Sequence, residues 1–390
     1  MRLYIDSNFE SINKYHEELC GDKVEIYRDE NYVIIVLSDG LGSGVKANIL
    51  ATLTSKIIGT ILANGLDIDE AVDTIANTLP VCQERNIAYS TFTILQISMT
   101  GEGYLVEFDN PSIFRFRKGC PLPIETVDRR ISGKTIREAR FTIEQEDLFV
   151  LVSDGAIHAG IGHSLNLGWQ WENINEYIQR SYTSDMSSKS ITKLLLSACD
   201  NLYGHKPGDD TTVVAVKVQN SVSLSIMVGP PVDLQQDKQV VQRFNEMEGK
   251  KIICGGTTSQ IVARELNKEV KANFNYSNPA VPPTAEIDGI ELTTEGVLTL
   301  RKALSLIEAC ISSDSTMQDY LNLNKKDGAS KLAKILLEEC TNVKFFVGRA
   351  MNPAHQNPGF PLNLSLKLKL VEEIAECIRS IGKQVSIEYN

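Results

Sequence analysis

Two Asp-Gly pairs lie at the ends of strongly apolar segments of the sequence. Asp39-Gly40 ends the segment VIIVLSDG and Asp154-Gly155 ends LFVLVSDG, and small residues follow each pair. Two further Asp-Gly pairs, at 288–289 and 327–328, lie in polar surroundings where a turn is a sufficient explanation. Because a strand end is rigid, it can hold a carboxylate in a fixed position. The two apolar segments therefore predict two carboxylates that are presented in the same way.

Two more acidic sites adjoin segments that favour strands. Asp209-Asp210 precedes TTVVAVKV, and Asp22 follows Gly21 just before a candidate strand at 24–27. Neighbouring carboxylates repel each other unless solvent or a cation neutralises them. Acids with no His or Cys beside most of them favour hard ions such as Mg²⁺ or Mn²⁺ over zinc. These acids predict a divalent-cation site, with turn formation alone as the alternative.

The first half of the chain is dense in strand-like segments, several of which alternate apolar and polar residues. Predicted strands lie at 31–38, 91–98, 103–107, 113–117, 147–153 and 211–218. Predicted helices lie at 45–63, 68–79 and 187–202, where apolar residues recur every three or four positions. Because the strands follow one another without a helix after each, the pattern predicts an α+β arrangement with antiparallel sheets.

The second half has a different rhythm, in which strands and helices alternate. Predicted strands lie at 222–228, 251–254, 343–347 and 385–389. Predicted helices lie at 235–248, 259–266, 294–310, 328–340 and 364–381. This alternation predicts a smaller three-layer α/β domain, in which the Pro-rich stretch 278–284 forms a surface loop or lid. We place the two domains at 1–219 and 220–390.

Length and composition limit the classes of protein to consider. A chain of 390 residues favours two domains, and the net charge of −11 argues against nucleic-acid binding, which needs clustered Lys and Arg. The eight cysteines form no C-x-x-C pair and are interpreted as reduced thiols. The first residues lack the apolar core of a signal peptide, and no later window approaches the roughly 20 apolar residues of a membrane span. We therefore expect a cytoplasmic protein without a membrane or nucleic-acid partner.

The acidic motifs together resemble a known family. In chain order they are GD, SDG-x-G-x-G, SDG and GDD-x-T-V, and this series resembles the sporulation stage II protein E branch of the metal-dependent phosphatases. Those proteins are bacterial relatives of protein phosphatase 2C, and the resemblance covers residues 1–218. It implies an antiparallel β-sandwich flanked by helices. It also implies a serine/threonine protein phosphatase that acts on a phosphoprotein with two divalent cations, Mn²⁺ or Mg²⁺.

The resemblance also implies roles for individual residues. Asp39 would bridge both metals, and the carbonyl of Gly40 would contact one of them. Asp154 and Asp209 would complete the shell of the first metal. Asp39, Asp154 and Asp209 are therefore the expected catalytic residues, around a water that attacks the phosphorus of phosphoserine or phosphothreonine.

For the second metal, the resemblance implies that Asp22 binds through water and that Asp210 steadies its neighbour. The sequence also departs from the wider family. Eukaryotic relatives carry an Arg in the first motif that anchors the substrate phosphate, and the segment ELCGD at 18–22 has none. Members of this branch often have Gly in the turn that residues 109–111 occupy here. The helices at 45–79 resemble a pair that can shift to complete or spoil the metal site, which suggests regulated activity.

Two histidines are weaker candidates in the first domain. His158 lies four residues after Asp154 and could protonate the leaving alkoxide, although a solvent-facing histidine at a helix start is the simpler interpretation. His205-Lys206 could contact a substrate phosphate, although a solvated loop is the simpler interpretation here too.

The second domain has one motif of interest, KIICGGTTS at 251–259. Gly255, Gly256, Thr257 and Thr258 could cradle an anion with backbone N–H groups, but the motif matches neither a dinucleotide fingerprint nor a P-loop. Helix capping by Thr257, Thr258 or Ser259 is the simpler expectation. The turn at 348–353 either faces the same crevice or ends a strand.

Three functions stay open from the sequence. The first is the phosphatase, fused to an α/β domain that binds a ligand or a protein partner. The second is a catalytically silent module that binds a phosphoprotein. The third is a small-molecule phosphatase in which the second domain selects the substrate. A homodimer is one assembly that the sequence leaves open.

Overall fold

The computed structural model describes residues 3–29, 31–78, 90–273, 281–312, 315–350 and 362–390. The chain divides into two compact units, Met1–Asn220 and Ser221–Asn390. Each unit has its own sheets and its own buried core.

The first unit contains two antiparallel sheets. Its strands are β1 (Leu3–Ile12), β2 (Asp22–Arg28), β3 (Tyr32–Gly40), β4 (Ser90–Ser98), β5 (Glu102–Phe108), β6 (Phe114–Arg117), β7 (Cys120–Pro121), β8 (Val127–Ile131), β9 (Lys134–Thr142), β10 (Asp147–Val152) and β11 (Thr211–Asn220). One sheet has the order β2-β3-β4-β5-β9-β8, and the other has the order β1-β11-β10-β6-β7. All strand pairs in both sheets are antiparallel.

Helices cover both outer faces of this pair of sheets. They are α1 (Gly44–Ala63), α2 (Ile68–Thr78), α3 (Asp154–Ile157), α4 (Trp171–Ser181) and α5 (Ser188–Leu202). The inner faces meet in a core that includes Ile35 and Leu105 from one sheet and Phe149 and Val214 from the other. Because alternate residues of a strand point to opposite faces, neighbouring residues pack against the helices instead. The predicted α+β sandwich flanked by helices is confirmed.

Helix α1 packs along β3 and β2 with a face of small residues. Ala47, Ala51 and Ile58 are fully buried there. By length and composition alone α1 could also cross a membrane, so the expectation that no segment is apolar enough for that was wrong. A helix that covers a sheet passes the same test, because its buried face raises the mean hydropathy.

The second unit is a mixed sheet between two layers of helices. Its strands are β12 (Ser223–Val228), β13 (Lys250–Cys254), β14 (Lys271–Ala272), β15 (Ala285–Glu286), β16 (Leu292–Thr294), β17 (Asn342–Val347) and β18 (Gln384–Tyr389), in the sheet order β14-β15-β16-β13-β12-β17-β18. Its helices are α6 (Asp237–Glu246), α7 (Gly256–Leu266), α8 (Val297–Ile311), α9 (Met317–Asn322), α10 (Gly328–Lys334) and α11 (Leu362–Ser380). Helices α6 and α7 pack on one face, and α8, α10 and α11 pack on the other. The three-layer α/β prediction is confirmed.

Several predicted boundaries in this unit were wrong. Thr294 ends β16 instead of beginning a helix, and α8 starts at Val297. The helix predicted at 328–340 ends as α10 at Lys334 and continues as a π-helical segment, Ile335–Glu339. The helix predicted at 235–248 is a short 3₁₀ turn, Leu234–Gln236, followed by α6. Residues 278–280 of the Pro-rich stretch and 351–353 of the turn after β17 lie outside the described residues.

Candidate functional site

The pairing of β2 with β3 brings two of the predicted acids together. Asp22 and Asp39 are directly opposite each other in this antiparallel pair. Side chains in such positions are neighbours on one face, with Cβ atoms about 4.5–5.5 Å apart. Gly40 ends β3 where α1 comes close, because a Cβ atom on Gly40 would collide with the backbone carbonyl of Ala47. A glycine is therefore needed at this position for α1 to cover the strand end.

The other sheet supplies the remaining acids from the adjacent strands β10 and β11. Ser153 ends the apolar strand segment, and Asp154 is the first residue of the short helix α3. The amide of Thr212 donates to Ser153 Oγ at 2.9 Å, and the amide of Ser153 donates to the Thr212 carbonyl at 3.1 Å. These bonds tie the end of β10 to the start of β11. They hold Asp154 beside the Asp209-Asp210 turn.

The charges of these acids act on one another, which places them in one cluster. Burial raises the pKa of Asp39 to about 9, and the negative charges of Asp22, Asp154, Asp209 and Asp210 add to the rise. For brevity we call these five side chains the carboxylate cluster. Nearby like charges raise a carboxyl pKa, and the β2–β3 pairing and the Ser153–Thr212 bonds bring these acids to neighbouring strand ends.

The pKa values of Asp22 and Asp154 are also raised. Burial raises the pKa of Asp22 to about 7, the charges of Asp210 and Asp154 raise it further, and the hydroxyls of Ser153 and Thr212 lower it. Burial also raises the pKa of Asp154, and the charge of Asp209 adds to this, whereas His158 acts against it. Asp22, Asp39 and Asp154 therefore bind protons more tightly than ordinary aspartates do, because they are buried and lie near other acids.

Several oxygen atoms in the cluster have no hydrogen-bonding partner. Both carboxylate oxygens of Asp22 and Oδ2 of Asp210 are buried without one. Oδ1 of Asp210 accepts the Lys14 amide at 2.9 Å. A buried carboxylate without a partner is costly, and a bound cation would remove that cost.

The donor set of the cluster fits hard divalent cations. In the part of the chain that the structure describes, two side chains that can carry positive charge are in ion-pair contact with the cluster. Lys14 Nζ lies 3.7 Å from Asp209 Oδ1, and His158 lies beside Asp154 at the rim. Five carboxylates and one ammonium leave a formal charge of minus four, which two divalent cations would balance. All donors are oxygens, as Mg²⁺ and Mn²⁺ prefer. Among the described residues, no three or more His, Cys, Asp or Glu side chains are already spaced to hold a metal ion, so ion binding would require the acids to approach one another.

The two histidine candidates differ in their surroundings. His158 Nδ1 lies 3.9 Å from Asp154 Oδ2, and both side chains are about half exposed, at 49% and 47%. His205 Nδ1 instead lies 2.6 Å from Asp200 Oδ2, and Lys206 Nζ lies 5.6 Å from the centre of the Tyr15 ring. The structure thus brings His158 to the rim of the carboxylate cluster and gives His205 and Lys206 other partners.

An open cavity of about 620 Å³ borders the cluster, and the sequence did not indicate it. Its walls include Asp109, Asn110, Arg137, Asp154, His158 and Trp171. Arg137 lies on β9, and Trp171 begins α4, neither of which was predicted. Lys14, Ser153 and Thr212 were also missed as neighbours of the acids, because their contacts depend on the pairing of distant strands.

The glycine-rich motif of the second unit has a different start from the one predicted. Helix α7 begins at Gly256, three residues early, and Gly255 precedes it at φ 129°, a conformation that favours glycine. No side chain caps this helix, so capping by Thr257, Thr258 or Ser259 was wrong. Thr258 and Ser259 are buried instead, and Ser259 Oγ donates to the Gly256 carbonyl at 2.7 Å. Anion binding at Gly255, Gly256, Thr257 and Thr258 stays a prediction.

A family model matches most of the first unit. Residues 29–219 match the family model "Stage II sporulation protein E (SpoIIE)". No curated protein matches the chain.

Three solved structures are among those that match part of this chain. One is the structure of the phosphatase domain and a regulatory-domain fragment of SpoIIE from Bacillus subtilis. It is 19% identical to this chain with a TM-score of 0.49, and the match covers 56% of this chain and 64% of that one. RsbX in complex with magnesium is 20% identical with a TM-score of 0.40, covering 55% and 96% of the two chains. The serine/threonine phosphatase of S. agalactiae is 14% identical with a TM-score of 0.39, covering 55% and 99%.

The matched segment contains three of the four acidic motifs, with cluster acids from both sheets. It runs from just before β3 to the end of β11, so it includes Asp39, Asp154 and the Asp209-Asp210 turn. Over residues 29–219, this chain is a protein phosphatase 2C-like domain of the stage II sporulation protein E family.

Proposed function

We propose that the first unit is a Mg²⁺- or Mn²⁺-dependent phosphatase that removes phosphate from serine or threonine residues of a phosphoprotein. The observation that carries this proposal is the carboxylate cluster, in which buried oxygens lack partners and one lysine faces five acids. A purely structural role would leave that repulsion uncompensated. The family match supports the phosphatase class.

The residues of the cluster would hold two cations in distinct ways. Asp39 stands between Asp22, opposite it on β2, and the acids of the other sheet, so it is suited to contact both ions. Asp154 and Asp209 are the more exposed members, at 47% and 39%, and would face the substrate side. The bound pair would lower the pKa of water toward 7 and offset the charge of the phosphoryl oxygens.

The chain's own residues prepare the site in other respects. Lys14 partly balances Asp209 at the solvent side. His158, half exposed beside Asp154, is placed to add positive charge at the rim when it is protonated. Asp22 and Asp210 are only 5% and 4% exposed, so water reaches them poorly and their charge is felt strongly by neighbours.

Regulation through α1 and α2 is part of the proposal. Ala47 of α1 packs against the backbone at both Gly21 and Gly40, which lie beside Asp22 and Asp39. A shift of α1 would therefore move the strand ends that carry these two acids. We also propose a cytoplasmic location, and for the second unit the binding of a ligand or a protein partner.

The test is hydrolysis by the purified full chain with Mn²⁺. We expect release of phosphate from an aryl phosphate and from a phosphothreonine peptide, and loss of both activities in excess chelator. Asp154→Asn should abolish both, whereas Asp288→Asn should not, because Asp288 belongs to an exposed Asp-Gly turn with a side chain that is 95% exposed. Activity that persists in chelator would contradict the proposal.

Two outcomes would favour the alternatives. Binding of a phosphopeptide without hydrolysis in Mn²⁺ would favour the silent phosphoprotein-binding module. Hydrolysis of the aryl phosphate, with none of any phosphopeptide, would favour a small-molecule phosphatase.

A further inference from the structure

The cavity beside the carboxylate cluster is built from four separate elements of the first unit. The turn after β5 supplies Asp109 and Asn110, β9 supplies Arg137, the end of α3 supplies His158, and the start of α4 supplies Trp171. Asp154 belongs to both the cavity wall and the cluster. A substrate bound with its phosphate at the cluster would therefore extend into this cavity.

Trp171 is fixed in the wall by two contacts. Its ring stacks on Phe114 with centroids 4.7 Å apart and an interplanar angle of 13°. Its Nε1 donates to the Ser112 carbonyl at 2.8 Å. Because the ring is held on one face and at its polar edge, its position is set before a ligand arrives. A rigid aromatic face of this kind attracts cations.

Asn110 is held in the same wall by a buried hydrogen bond. It is 5% exposed, and its Nδ2 donates to Thr93 Oγ1 at 2.8 Å. Its Oδ1 is buried and has no partner among the described residues. The bond to Thr93 fixes the turn that lines the cavity.

The single arginine of the wall is already neutralised. Arg137 lies 3.0 Å from the carboxylate of Glu107, which is 1% exposed, and it donates to Ser112 Oγ and to the Asn110 carbonyl. Its donors are therefore used within the protein. This arginine braces the turn that carries Asn110 and contributes little free positive charge to the cavity.

The remaining charged groups of the wall are mainly acidic. Asp109 and Glu172 are exposed there, and no described cation is in ion-pair contact with either. His158 lies in the same wall, with its Nδ1 3.9 Å from Asp154 Oδ2. The cavity thus combines two carboxylates without a described ion-pair partner and an aromatic side chain, which is the chemistry that binds an ammonium or guanidinium group.

We propose that this cavity is a subsite for a lysine or arginine side chain that flanks the phosphorylated serine or threonine of the substrate. The proposal rests on the proposed phosphatase function and specifies its substrate class. A volume of about 620 Å³ corresponds to a width of about 9 Å, the length of about three extended residues. The cationic residue therefore lies within about three positions of the phosphorylated one.

The test compares three phosphothreonine peptides that carry Arg, Gln or Glu at the flanking positions. For the full chain with Mn²⁺, we expect kcat/KM to be at least about 10-fold higher for the Arg peptide than for the Glu peptide, with Gln between them. In the double variant Asp109→Asn, Glu172→Gln the ratio should fall toward one. Asn suits position 109, where φ is 48°, so the variant keeps the turn.

Glu176→Gln is the matched control, because Glu176 lies on the same helix and pairs with Arg180 at 3.0 Å outside the cavity wall. It should keep the wild-type ratio. Equal kcat/KM values for the three peptides, or a ratio unchanged in the double variant, would overturn the subsite. Aryl phosphate hydrolysis by the wild-type chain tests the phosphatase function separately.

Binding gives a second measurement that does not depend on turnover. The chain has two tryptophans, and Trp171 lines the cavity whereas Trp169 is 9% exposed in the core. The Arg peptide should change the tryptophan fluorescence at lower concentration than the Glu peptide, and Trp171→Phe should remove most of that signal. Equal affinities for the two peptides would contradict the proposal even in an inactive protein.

Discussion

The first unit buries carboxylates in two places, and only one of them is neutralised. Asp147, at the start of β10, is fully buried and receives bonds from Arg115 at 2.9 Å and Arg117 at 2.7 Å. Beyond the other end of the same strand, Asp154 joins Asp22 and Asp39, which face further acids and have no arginine in contact among the described residues.

The difference separates an acid that stabilises the fold from acids that we propose bind a metal ion. Both oxygens of Asp147 are satisfied within the protein, so its ion pairs form as the sheet forms. In the cluster, Asp22 and Asp210 keep unpaired oxygens, and the pKa values of Asp22 and Asp39 are raised. Burial alone therefore does not identify a functional acid, whereas burial without a counter-charge does.

The largest expected effect is on activity at Asp39. Asp39→Asn should lower kcat/KM by more than about 100-fold, because loss of residues that merely orient a metal ligand already costs 10–100-fold. Its thermal stability in chelator should be equal to or higher than that of the wild type, since one of several repelling charges is gone. A variant that loses activity only by unfolding would break the comparison.

Asp147→Asn should lower the stability of the fold, in contrast to Asp39→Asn. Removing this carboxylate leaves Arg115, which is 7% exposed, with a buried charge, and breaking such a pair costs about 3–5 kcal/mol. Denaturant unfolding should show that loss with and without Mn²⁺. An Asp147→Asn protein as stable as the wild type would show that the arginine pairs are not what distinguishes the two sites.

The pH dependence of stability should also separate the two sites. The pKa of Asp39 is raised to about 9 and that of Asp22 to about 7, whereas unfolded aspartate titrates near 3.9. Between these values the folded state holds protons that the unfolded state has lost. The free energy of unfolding of chelated protein should therefore fall as pH rises from about 5 to about 8.

Chemical unfolding at several pH values in chelator measures this slope. Asp39→Asn should make it shallower, and saturating Mn²⁺ should remove most of it, because bound cations then stabilise the ionised acids. A chelated wild-type protein that gains stability across this range would contradict the view that the carboxylate cluster lacks a counter-charge.

The smallest expected effect concerns how closely α1 approaches the cluster. Gly40→Ala would force its Cβ atom against the Ala47 carbonyl and should cost about 1–3 kcal/mol, with weaker Mn²⁺ binding because β3 carries Asp39. Gly256→Ala is the matched control, since nothing lies within 4 Å of a Cβ there. Equal stability of both variants would show that the contact is not tight.

The sequence predicted the acids of the cluster because each adjoins an apolar segment with a recognisable motif. It also predicted the sandwich, since consecutive strand patterns favour antiparallel sheets. It missed β1, β8 and β9, whose exposed or mixed residues, such as the run at 127–130, lack a clear alternation. The pairing of the strand after Asp22 with the strand that ends at Asp39 was predicted and is confirmed. The sequence could not give the arginine pairs of Asp147 or the cavity beside Trp171, which depend on the pairing of distant segments.

The central claim is that unneutralised carboxylates of two sheets share divalent cations, and calorimetric titration with Mn²⁺ tests it most directly. The wild-type chain should bind about two ions and release protons when it does so, because the raised pKa values mean that some cluster acids are protonated beforehand. Asp39→Asn should bind fewer ions or bind them far more weakly, and Asp288→Asn should match the wild type. No heat of binding by folded wild-type protein, or equal binding by Asp39→Asn, would contradict the account.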